Sequence, residues 1–493
     1  MTDTTYENAS DGFLTYDSLF IGGEWRKPAS SDELSVTSAS TGRIIGRVPV
    51  STDEDADAAV AAARRAFADP TGWATWQPAE RARALQRLAD QLDARKEEMA
   101  RRVSGQNGMP YSVSINFEAA VPAGVLRYYA TLLGQIPTEE RRPGVLGGTS
   151  LVRRTPLGVV AAIVPWNFPQ TLTFFKLAPA LAAGNTVVVK PSSETQLDFG
   201  LLAEAVAAAG IPAGVINILT GGDSLGAYLV GHPGVDKISF TGSTAVGREI
   251  AGRAGQLLRP VTLELGGKSA ALILDDADLA SNAEALFFAS LLNNGQTCFA
   301  STRILAPRRR YAEVVEFYKT LAEEAVVGDA LDPATQIGPM VSAAHRANVE
   351  AYIARGISDG ATLVTGGRRP DIEHGWFVEP TIFADVDNAS VIAQEEIFGP
   401  VLSIIAYEGD DEAIGIANDS QFGLAGTVWS ADPDRAERVA KRVQSGTIGI
   451  NHYLPDLGAP YGGVKASGMG RELGPEGLLH YQHLHSIYLQ KGV

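Results

Sequence analysis

The sequence predicts an α/β protein built on two parallel sheets, and three observations lead there. From residue 157, short apolar runs alternate with helical stretches: GVVAAIV (158–164), NTVVVK (185–190), a helix over about 198–209, VINILT (215–220) and KISFTG (237–242). Runs so short and so continuously apolar read as strands buried on both faces, and their alternation with helices implies a parallel sheet covered on each side. A second alternation follows VTLELGG (261–267), with ALILDD, a helix through 283–292, TRILAP, a helix around 311–324, VLSIIAY and AGTVWS. The third observation is length: 493 residues exceed the roughly 250 to 300 at which single cores stop growing.

The flanking elements follow from local signals. Over 52–69, Ala56, Val60, Ala63 and Phe67 recur at helical spacing, and Thr52 stands where an N-cap belongs. A second helix is expected over 79–103, with Leu85, Leu88 and Leu92 on its apolar stripe and its many arginines on a solvated face. The segment QIPTEERRPGVLGGTSLVRR (135–154), rich in Pro, Gly and charge, is either a surface loop or a ribbon reaching another subunit.

Composition excludes several function classes. An apolar fraction of 45% and a charged fraction of 20% are those of an ordinary globular protein. The net charge of −16 argues against nucleic acid and anionic membrane partners, which are bound by clustered Lys and Arg. The opening MTDTTYENASDGFLTYDS has acids where a signal peptide carries bases, and no apolar stretch nears the ~20 residues of a membrane span, so a cytoplasmic protein is expected.

Cys298, in NNGQTCFAST, is the only cysteine, and one thiol cannot form an intramolecular disulfide. It is a buried spacer, a reactive thiol or a chance survivor. Its polar neighbours suit a reactive thiol, which needs a partly open site favouring thiolate. None of the seven histidines lies in a protease motif, and HYQHLH (480–485) lacks the Cys and acidic company of a metal site, so no metal is expected. Glu264, at the end of a strand in ELGGKSA, is either a solvated surface group or a general base for water. In FTGSTAVG, Gly242 and Ser243 sit at a strand end and open a helix, which is either a tight turn or a cradle for a pyrophosphate.

Seven segments in order resemble the aldehyde dehydrogenase superfamily: PWNFP (165–169), VVVKPSSET (187–195), FTGSTAVG (240–247), LELGGK (263–268), GQTCFASTR (295–303), EEIFGPV (395–401) and PYGGVKASGMGRE (460–472). The resemblance runs from IGGEW at Ile21 to the C-terminus. It implies a Rossmann-like cofactor domain (1–135 and 155–265), an α/β catalytic domain (266–472) and a small β oligomerisation element (136–154 and 473–493). By the same carry-over, the Cys298 thiolate attacks an aldehyde, and Asn167 with the Cys298 N–H holds the oxyanion. Hydride then passes to the nicotinamide, and Glu264 activates the water that hydrolyses the thioester. Lys176 matches a lysine linked to proton relay.

For the cofactor, the resemblance implies contacts from Trp166, Lys190, Gly242, Ser243, Glu396 and Phe398. Ser193 stands where many NAD-preferring members have a glutamate, so NAD is expected with NADP possible. Phe168, Thr171, Leu172, Phe175, Phe299, Leu454 and Tyr461 match the substrate tunnel. Their apolar and aromatic character points to medium-chain aliphatic or aromatic aldehydes. The family further implies a homodimer or dimer of dimers, a homotetramer. Two alternatives stand beside this reading: a coenzyme A-acylating enzyme, against which Glu264 speaks, and a non-catalytic protein that retains the fold.

Overall fold

The computed structural model describes residues 13–490. Residues 1–12, most of the acidic opening on which the cytoplasmic expectation rested, lie outside the described residues, as do 491–493. Two large sheets carry the fold, as the two alternations predict. The first has eight strands, in the order Gly468–Met469, Val261–Glu264, Lys237–Thr241, Val159–Ile163, Thr186–Lys190, Ile216–Ile218, Leu19–Ile21 and Glu24–Arg26. Its five central strands are parallel. Four of them, all but Val261–Glu264, are buried at every position, which is why they read as unbroken apolar runs.

The chain order along this sheet positions the site. From Val159–Ile163 the sheet grows in one direction through Thr186–Lys190 and Ile216–Ile218, and in the other through Lys237–Thr241 and Val261–Glu264. The connections therefore leave Val159–Ile163 and Lys237–Thr241 in opposite directions, and their carboxyl ends open a crevice where α/β sheets bind ligands.

The second sheet has seven strands, in the order Thr362–Thr365, Thr381–Ala384, Val401–Tyr407, Arg303–Pro307, Ala270–Ile273, Gly426–Trp429 and Gly449–Ile450. Only its first pair is antiparallel. The ribbon at 135–154 forms strands Glu139–Pro143 and Thr149–Pro156, joined antiparallel to the C-terminal strand Gln482–Leu489 in a separate three-stranded sheet. Among the described residues no helix is long and apolar enough to cross a membrane.

Three expectations need correction. The helix expected over 79–103 is two, Pro78–Asp93 and Lys96–Asn107. The apolar stripe of Leu85, Leu88 and Leu92 lapses at Arg95–Lys96, where charges occupy the next positions due, and Arg95 leaves helical geometry. The arginine face is not wholly solvated either: Arg81 is buried, with Nε donating to Ala182 O at 3.0 Å. Finally, Gly468–Met469, placed by sequence with the second unit, pairs antiparallel with Val261–Glu264 at the edge of the first sheet.

The helix Pro169–Ala183, which follows the strand Val159–Ile163, belongs to the main core, and all fifteen of its residues are buried. Its N-cap, Phe168, has no side chain that can accept a hydrogen bond, yet buried helix ends need partners. Glu118 supplies one from outside the helix: its Oε2 accepts from Gln170 N at 2.7 Å. Arg81, through Ala182 O, does the same for the carbonyl end. Complete burial pushes the Glu118 carboxyl up to about 8.

The folded protein thus holds a proton on Glu118 that the unfolded chain releases near the ordinary carboxylate value. The stability this contributes is full below that value and is lost as pH rises toward 8, by at most about 1.4 kcal/mol per pH unit. We expect the thermal midpoint of the wild type to fall more steeply between pH 5 and 8 than that of Glu118→Gln. Parallel curves for the two proteins would contradict this.

Candidate active site

Cys298 follows a loop whose backbone is difficult to form. The helix Ala283–Leu291 ends, and Asn293 (φ 51°) and Asn294 (φ 62°) then adopt successive left-handed conformations. Non-glycine residues hold such a conformation only when their surroundings impose it. Here the side chains do so. Asn293 Nδ2 donates to Asn167 O (3.0 Å), Asn294 Nδ2 to Gly108 O and Pro339 O (2.9 Å each), and Thr297 Oγ1 to Leu292 O (2.9 Å). Gln296 Oε1 accepts from Val341 N at 2.9 Å. The polar neighbours that suggested a reactive thiol therefore act first as fastenings that fix where the thiol sits. Gly267 completes the fit, since a Cβ there would collide with Cys298 O.

The half-buried Cys298 thiol lies 3.6 Å from the Tyr461 hydroxyl. Burial pushes the thiol up to about 12, and the nearby carboxylates Glu396 and Glu264 add to the effect. Asn167 comes to the same place from the carboxyl end of Val159–Ile163. Its Nδ2 donates to Gln296 O at 3.0 Å, two residues from Cys298, and the second amide hydrogen is left for another acceptor.

Glu264 ends Val261–Glu264, on the far side of Lys237–Thr241, and is buried, with neither carboxylate oxygen hydrogen-bonded by another side chain. Desolvation and the adjacent Glu472 raise it well above the usual carboxylate range, against the pull of Lys176 and Arg471. Gly462 (φ +147°) makes room for it, because a Cβ at that position would press on Glu264 Oε1. Lys176 Nζ donates to Glu472 Oε1 (2.6 Å) and Thr241 Oγ1 (2.5 Å), and both members of this ion pair are fully buried. Sequence reasoning missed Glu472, although it closes the last of the seven segments.

The cofactor candidates stand at or just beyond the carboxyl ends of the first sheet's strands, or contact residues that do. Lys190 ends its strand buried, and desolvation lowers it while Asp223 and Glu194 pull it back up. Ser193 Oγ donates to Glu194 Oε2 at 3.2 Å and Ser192 Oγ to the same oxygen at 2.5 Å. The Gly242 N–H is spent on Glu264 O (3.1 Å), whereas Ser243 is exposed and caps the helix Thr244–Gln256, its Oγ accepting from Val246 N. That helix start faces solvent and suits an anion.

Across the crevice, Glu396 Oε1 accepts from Gly267 N at 2.9 Å, and burial raises the carboxyl to about 7. Trp166 meets Phe398 edge-on at 5.3 Å. His345, which sequence reasoning did not single out, packs against Trp166 at 5.4 Å, with Nε2 2.7 Å from Phe398 O. It lies on the helix Ala343–Ser358, where no motif marked it.

Phe168, Thr171, Leu172, Phe175, Phe299, Leu454 and Tyr461 line a single cavity with Cys298. Phe117 and Val121, from a segment that gave no sequence signal, and Pro455 and Leu457, beside the expected Leu454, complete it. No charged residue lines it, and its two hydroxyls are engaged: Thr171 Oγ1 donates to Phe117 O at 2.8 Å, and Tyr461 Oη contacts Cys298 Sγ. No group of three or more His, Cys, Asp or Glu that could hold a metal occurs among the described residues.

Known proteins share the fold over nearly the whole chain. The sequence profile of the Aldehyde dehydrogenase family matches residues 25–487. The geranial dehydrogenase of Castellaniella defragrans is 56% identical over 476 residues, covering 97% of this chain and 99% of its own. The peroxisomal aminoaldehyde dehydrogenase 1 of Pisum sativum is 41% identical, covering 95% of each. Among solved structures, an aldehyde dehydrogenase of Mycobacterium tuberculosis complexed with NAD+ superposes with a TM-score of 0.95 at 46% identity, over 97% of this chain and 99% of that one. A mutant aldehyde dehydrogenase C of Pseudomonas syringae complexed with NAD+ and octanal gives 0.93 at 37% identity, over 98% of both. The chain belongs to the aldehyde dehydrogenase family and is an oxidoreductase that converts aldehydes to carboxylic acids with a nicotinamide cofactor.

Proposed function

We propose that this enzyme oxidises apolar aldehydes, medium-chain aliphatic or aromatic, with NAD+, through a thioester on Cys298 that water activated by Glu264 hydrolyses. The observation that carries the substrate class is the cavity beside Cys298, lined without a charged side chain and with both of its hydroxyls already engaged. An aldehyde bearing a carboxylate or ammonium would lose hydration there without gaining a partner. The similarity to a geranial dehydrogenase and to a protein holding octanal supports this class over that of the aminoaldehyde relative.

The crevice residues fit the cofactor. Buried Lys190 suits ribose hydroxyls, the open helix start at Ser243 suits a pyrophosphate, and Glu396 beside Gly267 suits the second ribose, with Trp166 and Phe398 flanking the ring. When bound, the nicotinamide supplies the hydride acceptor. Glu194, fastened by the Ser192 and Ser193 hydroxyls, offers the acid that Ser193 itself lacks, and this favours NAD over a 2′-phosphorylated cofactor. The neighbouring structures solved with NAD+ are consistent with that preference.

In the reaction, Cys298 sulfur bonds to the carbonyl carbon, and the resulting oxyanion is held by the free Asn167 amide hydrogen and the Cys298 N–H. Loss of hydride from this adduct leaves the thioester. Glu264, ionised, takes a proton from water as the oxygen attacks the thioester carbon. The C–S bond breaks, and the acid leaves with the thiolate restored. The buried Lys176–Glu472 ion pair lies close enough to act on the Glu264 charge, Glu472 favouring its protonated form and Lys176 its ionised one.

We assign cofactor binding to the first sheet and its helices, which also contribute Asn167 and Glu264, and the catalytic thiol to the second, with the three-stranded sheet formed by the ribbon and the C-terminal strand as the oligomerisation element. Leu484 and Tyr488, at 68% and 82% exposure on its C-terminal strand, suit burial against a second copy.

With NAD+ and no coenzyme A, octanal, geranial and benzaldehyde should be oxidised with kcat/KM at least about tenfold above succinic semialdehyde and 4-aminobutanal. Equal efficiency for the charged substrates would refute the apolar class, and turnover only with coenzyme A would establish the acylating alternative. Glu264→Gln should accumulate an acyl-enzyme visible by mass spectrometry, after a burst of one reduced cofactor per site. In the wild type, hydrolysis should accelerate as pH rises, because a carboxyl held above its usual range must lose its proton before it can act as a base. Normal steady-state turnover in Glu264→Gln would remove it from that role.

A further inference from the structure

Ten of the eleven residues that share the cavity with Cys298 present either no polar side-chain group or, at Thr171, a hydroxyl spent on a carbonyl. Tyr461 is the exception. Its ring packs edge-on to Phe175, with centroids 6.2 Å apart, and is 4% exposed. Its backbone is clamped to Glu472 by reciprocal N–H to carbonyl bonds of 2.7 Å. That clamp leaves the hydroxyl little freedom, and among the described residues its hydrogen-bond partner is Cys298 Sγ, at 3.6 Å.

While the thiol is protonated, either atom can donate in this contact. Once the sulfur is ionised, only the tyrosine can, and a hydrogen bond to a charged acceptor is roughly twice as strong as a neutral one. The contact is therefore stronger with thiolate than with thiol. We propose that the Tyr461 hydroxyl is a catalytic hydrogen-bond donor to the Cys298 sulfur, stabilising the thiolate that attacks the aldehyde. This rests on the reading of Cys298 as the nucleophile and adds to it a group that makes the nucleophile available.

The surroundings give such a donor something to offset. Burial opposes the thiolate, and of the groups facing it Glu264 and Glu396 oppose it when ionised; the buried phenol of Tyr453 also lies close enough to feel its charge. Burial raises the Tyr461 phenol well above its usual range, and the Cys298 charge raises it further, so it keeps its proton and remains a donor. No proton changes hands in this role.

Because Cys298 is the only cysteine, alkylation at sulfur, followed on the Cys298 peptide by mass spectrometry, reports on this thiol alone. The test compares the wild type with Tyr461→Phe, which retains the ring, using iodoacetamide and the bulkier N-ethylmaleimide at pH 7 to 9.5 without cofactor. Loss of the donor should raise the thiol midpoint by about one unit. Thiolate then becomes about tenfold rarer but more nucleophilic, so both reagents should react about threefold more slowly at a given pH below the midpoint. The kcat/KM for octanal should fall by at least the same factor.

Unchanged or faster alkylation would overturn the proposal, as would slowing that differs between the two reagents, which would signal altered access. Unchanged alkylation with a lower kcat/KM would place the hydroxyl on the substrate oxygen instead, and equally overturn it. Failure of the nucleophile itself would be seen separately, as retained turnover in Cys298→Ala.

Discussion

A helix without an exposed residue has to find partners for both ends inside the protein, and the helix Pro169–Ala183 is in that position. Its N-terminal N–H groups meet Glu118 and its last carbonyls meet Arg81, side chains 52 and 101 residues away along the chain from the groups they bond. Much of the site hangs on this helix. Asn167 immediately precedes its N-cap, Phe168 is the N-cap, Thr171, Leu172 and Phe175 form one wall of the tunnel, and Lys176 reaches back to Glu472 and Thr241. Glu118 and Asn107 brace the same corner, since Asn107 Nδ2 donates to Trp166 O at 3.0 Å and Asn167 O at 3.3 Å. The position of Asn167, the proposed oxyanion donor, is thus fixed by hydrogen bonds made behind it, to the backbone carbonyls of Trp166 and Asn167.

The same burial sets the electrostatics. Glu264, Glu396 and Cys298 are all raised by desolvation, and Lys190 and Lys268 are lowered by it, so the crevice suppresses charge of either sign. An ion placed there is strongly felt by its neighbours, because little water screens it. Ionising Cys298 is thus costly until a donor or an incoming positive charge offsets the cost.

Some of this was legible in the sequence and some was not, and the division has a physical basis. Strands such as VVAAI and TVVVK announced themselves because burial on both faces removes polar residues from the run. Cys298, Asn167 and Glu264 stood out because strand ends and tight loops dictate polar residues and glycines in short, contiguous patterns. Glu118, Arg81 and His345 left no such trace. Each acts through a partner distant in sequence, and a lone Glu, Arg or His on a helix looks like any surface residue. Gly468–Met469 escaped because two residues cannot show a period, and its pairing depends on a neighbour some 200 positions earlier. The polar loop before Cys298 was read for its chemistry, whereas most of its side chains are spent on holding two left-handed asparagines.

The segment from Tyr461 to Glu472 shows how few residues join the two halves of the reaction. Tyr461 presents a hydroxyl to the sulfur, Gly462 vacates the space that Glu264 occupies, and Glu472 pairs with Lys176 while its backbone closes onto Tyr461. Between them the chain forms the edge strand Gly468–Met469 on the strand that ends in Glu264. In the proposed reaction, attack on the aldehyde draws on Cys298, in the loop before Arg303–Pro307 of the second sheet, and hydrolysis of the thioester on Glu264, at a strand end of the first. One twelve-residue stretch touches both, so any shift of its edge pairing would move the nucleophile's hydrogen bond and the base's cavity together. Accuracy at the two centres is therefore a single constraint on the backbone, satisfied by strand pairing instead of by separate side-chain adjustments.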